Sequence, residues 1–149
     1  MRISIAIMMA AFAVRCSPSA QDAPAPVRTN SPQASGRQVV VYYLHRTFRC
    51  ASCNRMEQMT HDALKKAFAG ELASGSMRWQ TADFQQQEQL GQRYEATFPS
   101  VVVVSTLDGR DTGHRRMDVM WSLRDDPAAF RATLTEAVKA AMNPQGSGT

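Results

Sequence analysis

Gln38-Val-Val-Val-Tyr-Tyr-Leu44 is a continuous β-branched and aromatic run. Its lack of polar alternation predicts a strand buried on both faces, the pattern of a central parallel strand. A short loop, His45 to Arg49, leads to Cys50. From Ser52 to Phe68 the period changes. Met56, Met59, Ala63, Leu64, Ala67 and Phe68 recur at three- and four-residue steps, which predicts a helix with one core-facing stripe. Gly70 and Gly75 flank the turn that follows. Residues 77–83 predict a second strand, with Met77, Trp79 and Thr81 on one side. Residues 85–94 are glutamine-rich with few apolar anchors, which predicts a surface helix. Residues 101–104 read as a third buried strand, and Asp108-Gly109 is a hairpin signal. It leads into a fourth, more exposed strand over 111–118, antiparallel to the third. Asp125 or Asp126 caps a last helix, with Pro127 in its first turn. Phe130, Leu134, Ala137, Val138, Ala141 and Met142 form its buried face. The order is β-α-β-α-β-β-α, with no internal repeat.

The residues before this pattern read differently. Met1-Arg2 is a charged start, and Ile3 to Val14 is a twelve-residue apolar run. That is too short for a bilayer, which needs about 20 residues, but it suits the core of a signal peptide. An apolar run of this length also suits a buried strand or helix. The next segment argues against that: residues 17–37 hold Pro18, Pro24, Pro26 and Pro32 among Ser, Ala, Gln and Gly. Such a stretch buries too little apolar surface to offset the entropy of ordering it. The chain divides into a signal peptide (1–20), a Pro/Ser/Ala-rich linker (21–37), one folded domain (38–142) and a polar tail (143–149). The expectation is export to a periplasmic or extracellular site. Cys16 stands where a lipid-anchored cysteine would, but Arg15 occupies the place normally held by a small residue.

The formal charge of +4 includes Arg2 and Arg15; without them, fifteen basic residues face thirteen acidic ones, a net +2. No basic stripe with interleaved aromatics appears, so nucleic acid is not an expected partner. With Cys16 set aside, two cysteines remain, Cys50 and Cys53. Cys-x-x-Cys alone is ambiguous, since zinc half-sites look the same. Its position is more informative. Cys50 stands at a helix N-terminus, where unpaired backbone N–H groups and the helix dipole favour a thiolate. Arg46 and Arg49 add positive charge nearby. Cys53, one turn deeper, can attack a mixed disulfide on Cys50. Cys50 is therefore read as the exposed nucleophile and Cys53 as the resolving thiol.

This element order, with a cysteine pair at the first strand-to-helix junction, resembles the thioredoxin fold over about residues 38–142. The resemblance implies an α/β three-layer sandwich around a central mixed sheet of about four strands. It implies a redox-active Cys50–Cys53 disulfide, no separate cofactor, and protein thiols or disulfides as partners, including a membrane or periplasmic redox partner. In Phe98-Pro99-Ser100, just before the third strand, it implies a cis Pro99 facing the cysteines, with Phe98 offering its backbone to an extended substrate strand. Three departures stand out. Ala51 and Ser52 replace the Gly-Pro of thioredoxin itself, Arg49 replaces a tryptophan, and Leu44 replaces a buried aspartate that assists proton transfer. They argue against a general reductant of the thioredoxin type. Val41-Tyr-Tyr-Leu-His45 with Arg49-Cys-Ala-Ser-Cys-Asn-Arg-Met-Glu57, and Trp121, Leu123, Phe130 and Val138 beyond, look like a narrower group. These are the small thioredoxin-like proteins named as a nitrophenyl-compound nitroreductase subunit. No flavin-binding pattern appears in the sequence, so that name does not imply nitroreduction by this chain alone.

Two rival readings remain. His45 lies five residues before Cys50 and His61 eight after Cys53, so together they could complete a four-ligand zinc or copper site with the cysteines. The chain has nine methionines, but Met56 and Met59 lie on the core stripe, where methionine usually packs. Alternatively, the disulfide is structural and the domain is a non-catalytic binding subunit. His45 is also placed to act as a base for Cys53, or simply to bond the backbone at a strand end. Intact-mass analysis of the exported fraction should show a mature chain beginning between residues 16 and 26. Recovery of only the full-length chain in the cytosol would end the export reading.

Overall fold

The apolar run forms the strand its pattern predicts. β1 spans Arg37–His45, and Val39, Val40, Val41, Tyr43 and Leu44 are all buried. The structure is a computed structural model that describes residues 36–143. The expected signal peptide, Cys16, nearly all of the linker and residues 144–149 of the tail lie outside the described residues.

β2 (Met77–Asp83) pairs with β1 in parallel, and β3 (Ser100–Leu107) pairs with it antiparallel on the other side. β4 (Arg110–Arg116) closes the sheet antiparallel to β3, giving the order β2-β1-β3-β4. Parallel pairing of β1 and β2 requires a crossover. It is supplied by α1 (Ala51–Ala67) and a short α2 (Ala69–Ser74). The alternating faces of β1 and β3 then sort two cores. Val39, Val41, Tyr43, Val101 and Val103 meet Met56 and Leu64 of α1. They also meet Phe130, Leu134 and Val138 of a C-terminal helix, Pro127–Met142. On the opposite face Val40, Leu44, Val102 and Val104 pack with Tyr94, Ala96 and the half-buried Leu90. The latter belongs to α3 (Glu88–Arg93), so the C-terminal helix is α4. Helices on both faces of a mixed four-stranded sheet make the three-layer, thioredoxin-like α/β fold that the pattern implied.

Three local features depart from the sequence expectation. The turn after the first helix contains α2, because α1 breaks at Phe68 and the chain folds back to bury that ring and seat Leu72 on the core. The glutamine-rich helix is only six residues long. Its expected first turn is instead an Asx turn, in which the Asp83 carboxylate accepts from the Gln85 and Gln86 N–H groups at 2.9 and 3.4 Å. After β4, a 3₁₀ turn over Asp118–Trp121 buries Met120. The other signals hold. Asp108 and Gly109 both have positive φ, 50° and 76°, as a type I′ hairpin requires. The Asp126 carboxylate caps α4 by accepting from the N–H groups of Ala128 and Ala129.

Phe130 is completely buried between α1, α4 and the sheet. Phe130→Ala should lower unfolding free energy by about 3–5 kcal/mol in urea titrations, while Val119→Ala, at a side chain 47% exposed, should change it by no more than about 0.5 kcal/mol.

Candidate functional site

The segment between β1 and α1 is pinned at both sides. Phe84 N–H donates to the His45 carbonyl at 3.0 Å, extending the β1–β2 edge. The Arg46 guanidinium donates to the Thr97 carbonyl at 2.9 Å. The Thr47 hydroxyl donates to the Asp83 carboxylate at 2.6 Å, and the Thr47 N–H to Gln85 Oε1 at 3.1 Å. The Thr47 hydroxyl, with the Gln85 and Gln86 N–H groups and the nearby His45, holds the Asp83 carboxyl below the usual carboxylate range. Phe48 projects outward, 86% exposed. Arg49 turns inward to pair with Glu57 of α1.

Cys50 is the N-cap of α1, in extended backbone geometry. Its sulfur accepts the Cys53 N–H at 3.1 Å, taking the place a serine or aspartate oxygen holds in an ordinary cap. The first turn of α1 carries no acidic residue to offset the helix dipole. Cys50 is exposed and Cys53 is buried, 7% accessible. A disulfide joins them, with Cα atoms 5.1 Å apart. Behind Cys53 stands Tyr43, fully buried, whose hydroxyl donates to the Cys53 carbonyl at 2.8 Å.

Phe98 and Pro99 lie at the same end of the sheet. Ser100 pairs with Leu44, and the Arg46–Thr97 bond ties the two loops together. The expected cis Pro99 is corrected by the structure: no cis peptide bond occurs among the described residues. Trans is the ground state of an X–Pro bond unless the surroundings impose the other isomer. Trp121 Nε1–H donates to the Pro99 carbonyl at 2.6 Å, and Ser100 Oγ to the Phe98 carbonyl at 3.0 Å. The Phe98 ring lies under the Arg116 guanidinium, 5.7 Å from its centre.

The histidines do not join the cysteines. His45 Nδ1 lies 3.0 Å from the Arg46 carbonyl, a strand-end backbone contact. His61 stacks on Trp79 at 5.6 Å. Among the described residues no group of three or more His, Cys, Asp or Glu side chains is placed to hold a metal ion. Of the sequence candidates, then, Cys50 and Cys53 come together, and the Arg49 guanidinium lies 6.0 Å from the ring centre of Tyr43, whose hydroxyl bonds the Cys53 carbonyl. Arg46 braces the adjoining loop, and Phe98 and Pro99 border it. Sequence reasoning reads Tyr43 only as core. Its signal is a hydroxyl inside a buried run, which has to find a partner.

No protein-family model matches the chain, and no curated protein does. Among solved structures it is similar to a thioredoxin from Fasciola hepatica, 16% identical over 69% of this chain and 83% of that one, TM-score 0.42. It is similar also to a thioredoxin from Malassezia sympodialis (18% identical, 71% and 80% covered, TM-score 0.44). A third is Trxlp from Edwardsiella tarda (19% identical, 68% and 85% covered, TM-score 0.43). At that level of likeness, the chemistry of the site rests on its own geometry.

Burial pushes the Tyr43 hydroxyl up to about 12, the Arg49 charge pulling weakly the other way. A folded pKa above the unfolded value of about 10 contributes stability that is complete below pH 10 and is lost as pH rises through 12. Tyr43→Phe should therefore be less stable than wild type near neutrality by about 1 kcal/mol. That gap should narrow between pH 10 and 12 in urea titrations; a gap independent of pH would contradict the buried hydroxyl's role.

Proposed function

We propose that this chain is an exported thiol–disulfide oxidoreductase in which Cys50 attacks and Cys53 resolves. One observation carries the reading: an exposed Cys50 sulfur caps α1 and accepts a backbone N–H, while its disulfide partner Cys53 is buried behind it. A cap position surrounded by unpaired N–H groups stabilises negative charge on sulfur, and an exposed thiolate is a nucleophile.

In the reduced chain the Cys50 thiolate attacks one sulfur of a partner disulfide, forming a Cys50–partner bond and releasing the other partner sulfur as a thiolate. Cys53, deprotonated, then attacks Cys50 sulfur. This closes the Cys50–Cys53 disulfide and releases the second partner thiolate. Two electrons pass to the partner, and its two thiolates take up the two protons given up by the cysteines. The reverse sequence oxidises a partner dithiol, and the relative potentials set the direction. Export, supported by residues 1–20, places the substrates among protein thiols and disulfides outside the cytoplasm. A membrane or periplasmic redox partner would return the pair to its starting state. Phe98 and Pro99 follow Thr97, to whose carbonyl Arg46 of the cysteine loop bonds, and are the proposed substrate-contact segment, with trans geometry.

Alkylation of the reduced protein near neutral pH should label Cys50 well before Cys53. Cys53→Ala should accumulate a mixed disulfide with its natural partner, recoverable under non-reducing conditions and released by dithiothreitol. Faster labelling of Cys53 would reverse the roles. Stoichiometric zinc or copper in the purified protein, lost on His45→Ala and without any exchange activity, would replace this reading with metal carriage.

A further inference from the structure

Arg49 immediately precedes Cys50, and Glu57 follows Cys53 by four residues along α1. Positions four apart share a helix face, so Glu57 stands one turn beyond Cys53 on the same side. Arg49 and Glu57 are ion-paired, with only 29% and 27% of their side chains exposed. The guanidinium also lies 6.0 Å from the centre of the Tyr43 ring. Tyr43 in turn bonds the Cys53 carbonyl. These contacts leave the chain at one cysteine and return to it at the other.

A guanidinium near a cysteine favours its thiolate over the disulfide; a carboxylate paired with that guanidinium offsets the effect. The remaining charged groups near the junction have partners elsewhere. Arg46 is held by the Thr97 carbonyl, His45 faces the Arg46 carbonyl, and Arg55 lies 3.8 Å from Asp125. Asp83 is bonded to Thr47. Glu57 is therefore the carboxylate paired with the guanidinium of the residue that precedes Cys50.

We propose that the Arg49–Glu57 pair sets the redox balance of the Cys50–Cys53 couple, Glu57 restraining a charge that would otherwise make the disulfide easier to reduce. This rests on the oxidoreductase reading above. Both are positioning residues: neither gains nor loses electrons or bonds a substrate. The pair also orients the last residue before Cys50 across Tyr43.

The test is a set of redox equilibria against glutathione on the full chain. The state of the Cys50–Cys53 peptide is read by mass spectrometry, so that Cys16 does not enter. Glu57→Gln should shift the equilibrium toward the dithiol roughly tenfold, about 30 mV for a two-electron couple. Arg49→Gln should shift it by a similar factor toward the disulfide. The double variant should return to within about twofold of wild type, the signature of two groups acting through each other. A merely structural pair would move both single variants the same way, and that result, or no shift beyond about twofold in either single variant, overturns the proposal. Should either glutamine variant fail to fold, Glu57→Asp and Arg49→Lys keep the charges and must stay within about threefold of wild type; a larger shift also overturns it. Turnover of a disulfide-bonded protein substrate by the wild type tests the oxidoreductase reading separately. If that fails, the glutathione equilibria still decide whether the pair tunes the disulfide.

Discussion

β1 has no solvent-facing side: α1 and α4 cover one face, the α3 segment the other, and between Val39 and Leu44 only Tyr42 is partly exposed. That double burial fixes the strand's register against both neighbours, because a slip of one residue would exchange two distinct apolar faces. The position of the cysteines follows from it. β1 ends at His45, β2 pairs as far as Asp83, and β3 begins opposite Leu44. The four residues from Arg46 to Arg49 then cross a gap whose walls are already set. Their bonds to Thr97, Asp83, Gln85 and Glu57 deliver Cys50 to the head of α1.

The two sulfurs are chemically unequal because the helix makes them so. Cys50 stands outside the first turn, where it fills a cap and meets solvent. Cys53 is within the helix, against the sheet, with its carbonyl held by Tyr43. Leu44, six residues before Cys50, does not share the face of the cysteine helix. Leu44 belongs to the core on the α3 face, under Tyr94 and Ala96, whereas the cysteine helix packs on the other face with Tyr43.

Much of this is legible from periodicity alone. β1 and β3 follow from continuous apolar runs, β2 from Met77, Trp79 and Thr81 at alternate positions and the two long helices from apolar residues at period 3.6, while β4, which is polar, follows only from the Asp108-Gly109 turn before it; that turn and the Asp126-Pro127 cap act through local backbone chemistry. The cysteine pair's place at a strand-to-helix junction is equally readable. The features that escape the sequence depend on tertiary contact. α2 arises from the break at Phe68, and the shortening of α3 from a side chain, Asp83, competing for helix N–H groups. The contact of Trp121 with the Pro99 carbonyl, twenty-two residues away, is likewise tertiary. The pairing of Arg49 with Glu57, and of Tyr43 with Cys53, joins residues eight and ten apart whose meeting depends on how α1 lies against β1.

The hairpin end of the sheet carries a clamp of its own. The Gly36 N–H donates to the Asp108 carboxylate at 2.9 Å, and the Asp108 N–H donates back to the Gly36 carbonyl at 3.1 Å. Gly36 is the last residue before β1, and the strand then runs nine residues to His45, roughly 30 Å at about 3.3 Å per residue. Gly36 therefore lies at the pole opposite the disulfide, latched onto the β3–β4 turn. Opening of the β3–β4 turn would release the start of β1 at the end of the sheet farthest from the sulfurs, and leave the cysteine end of that strand, held by its pairing with β2 and β3, in place.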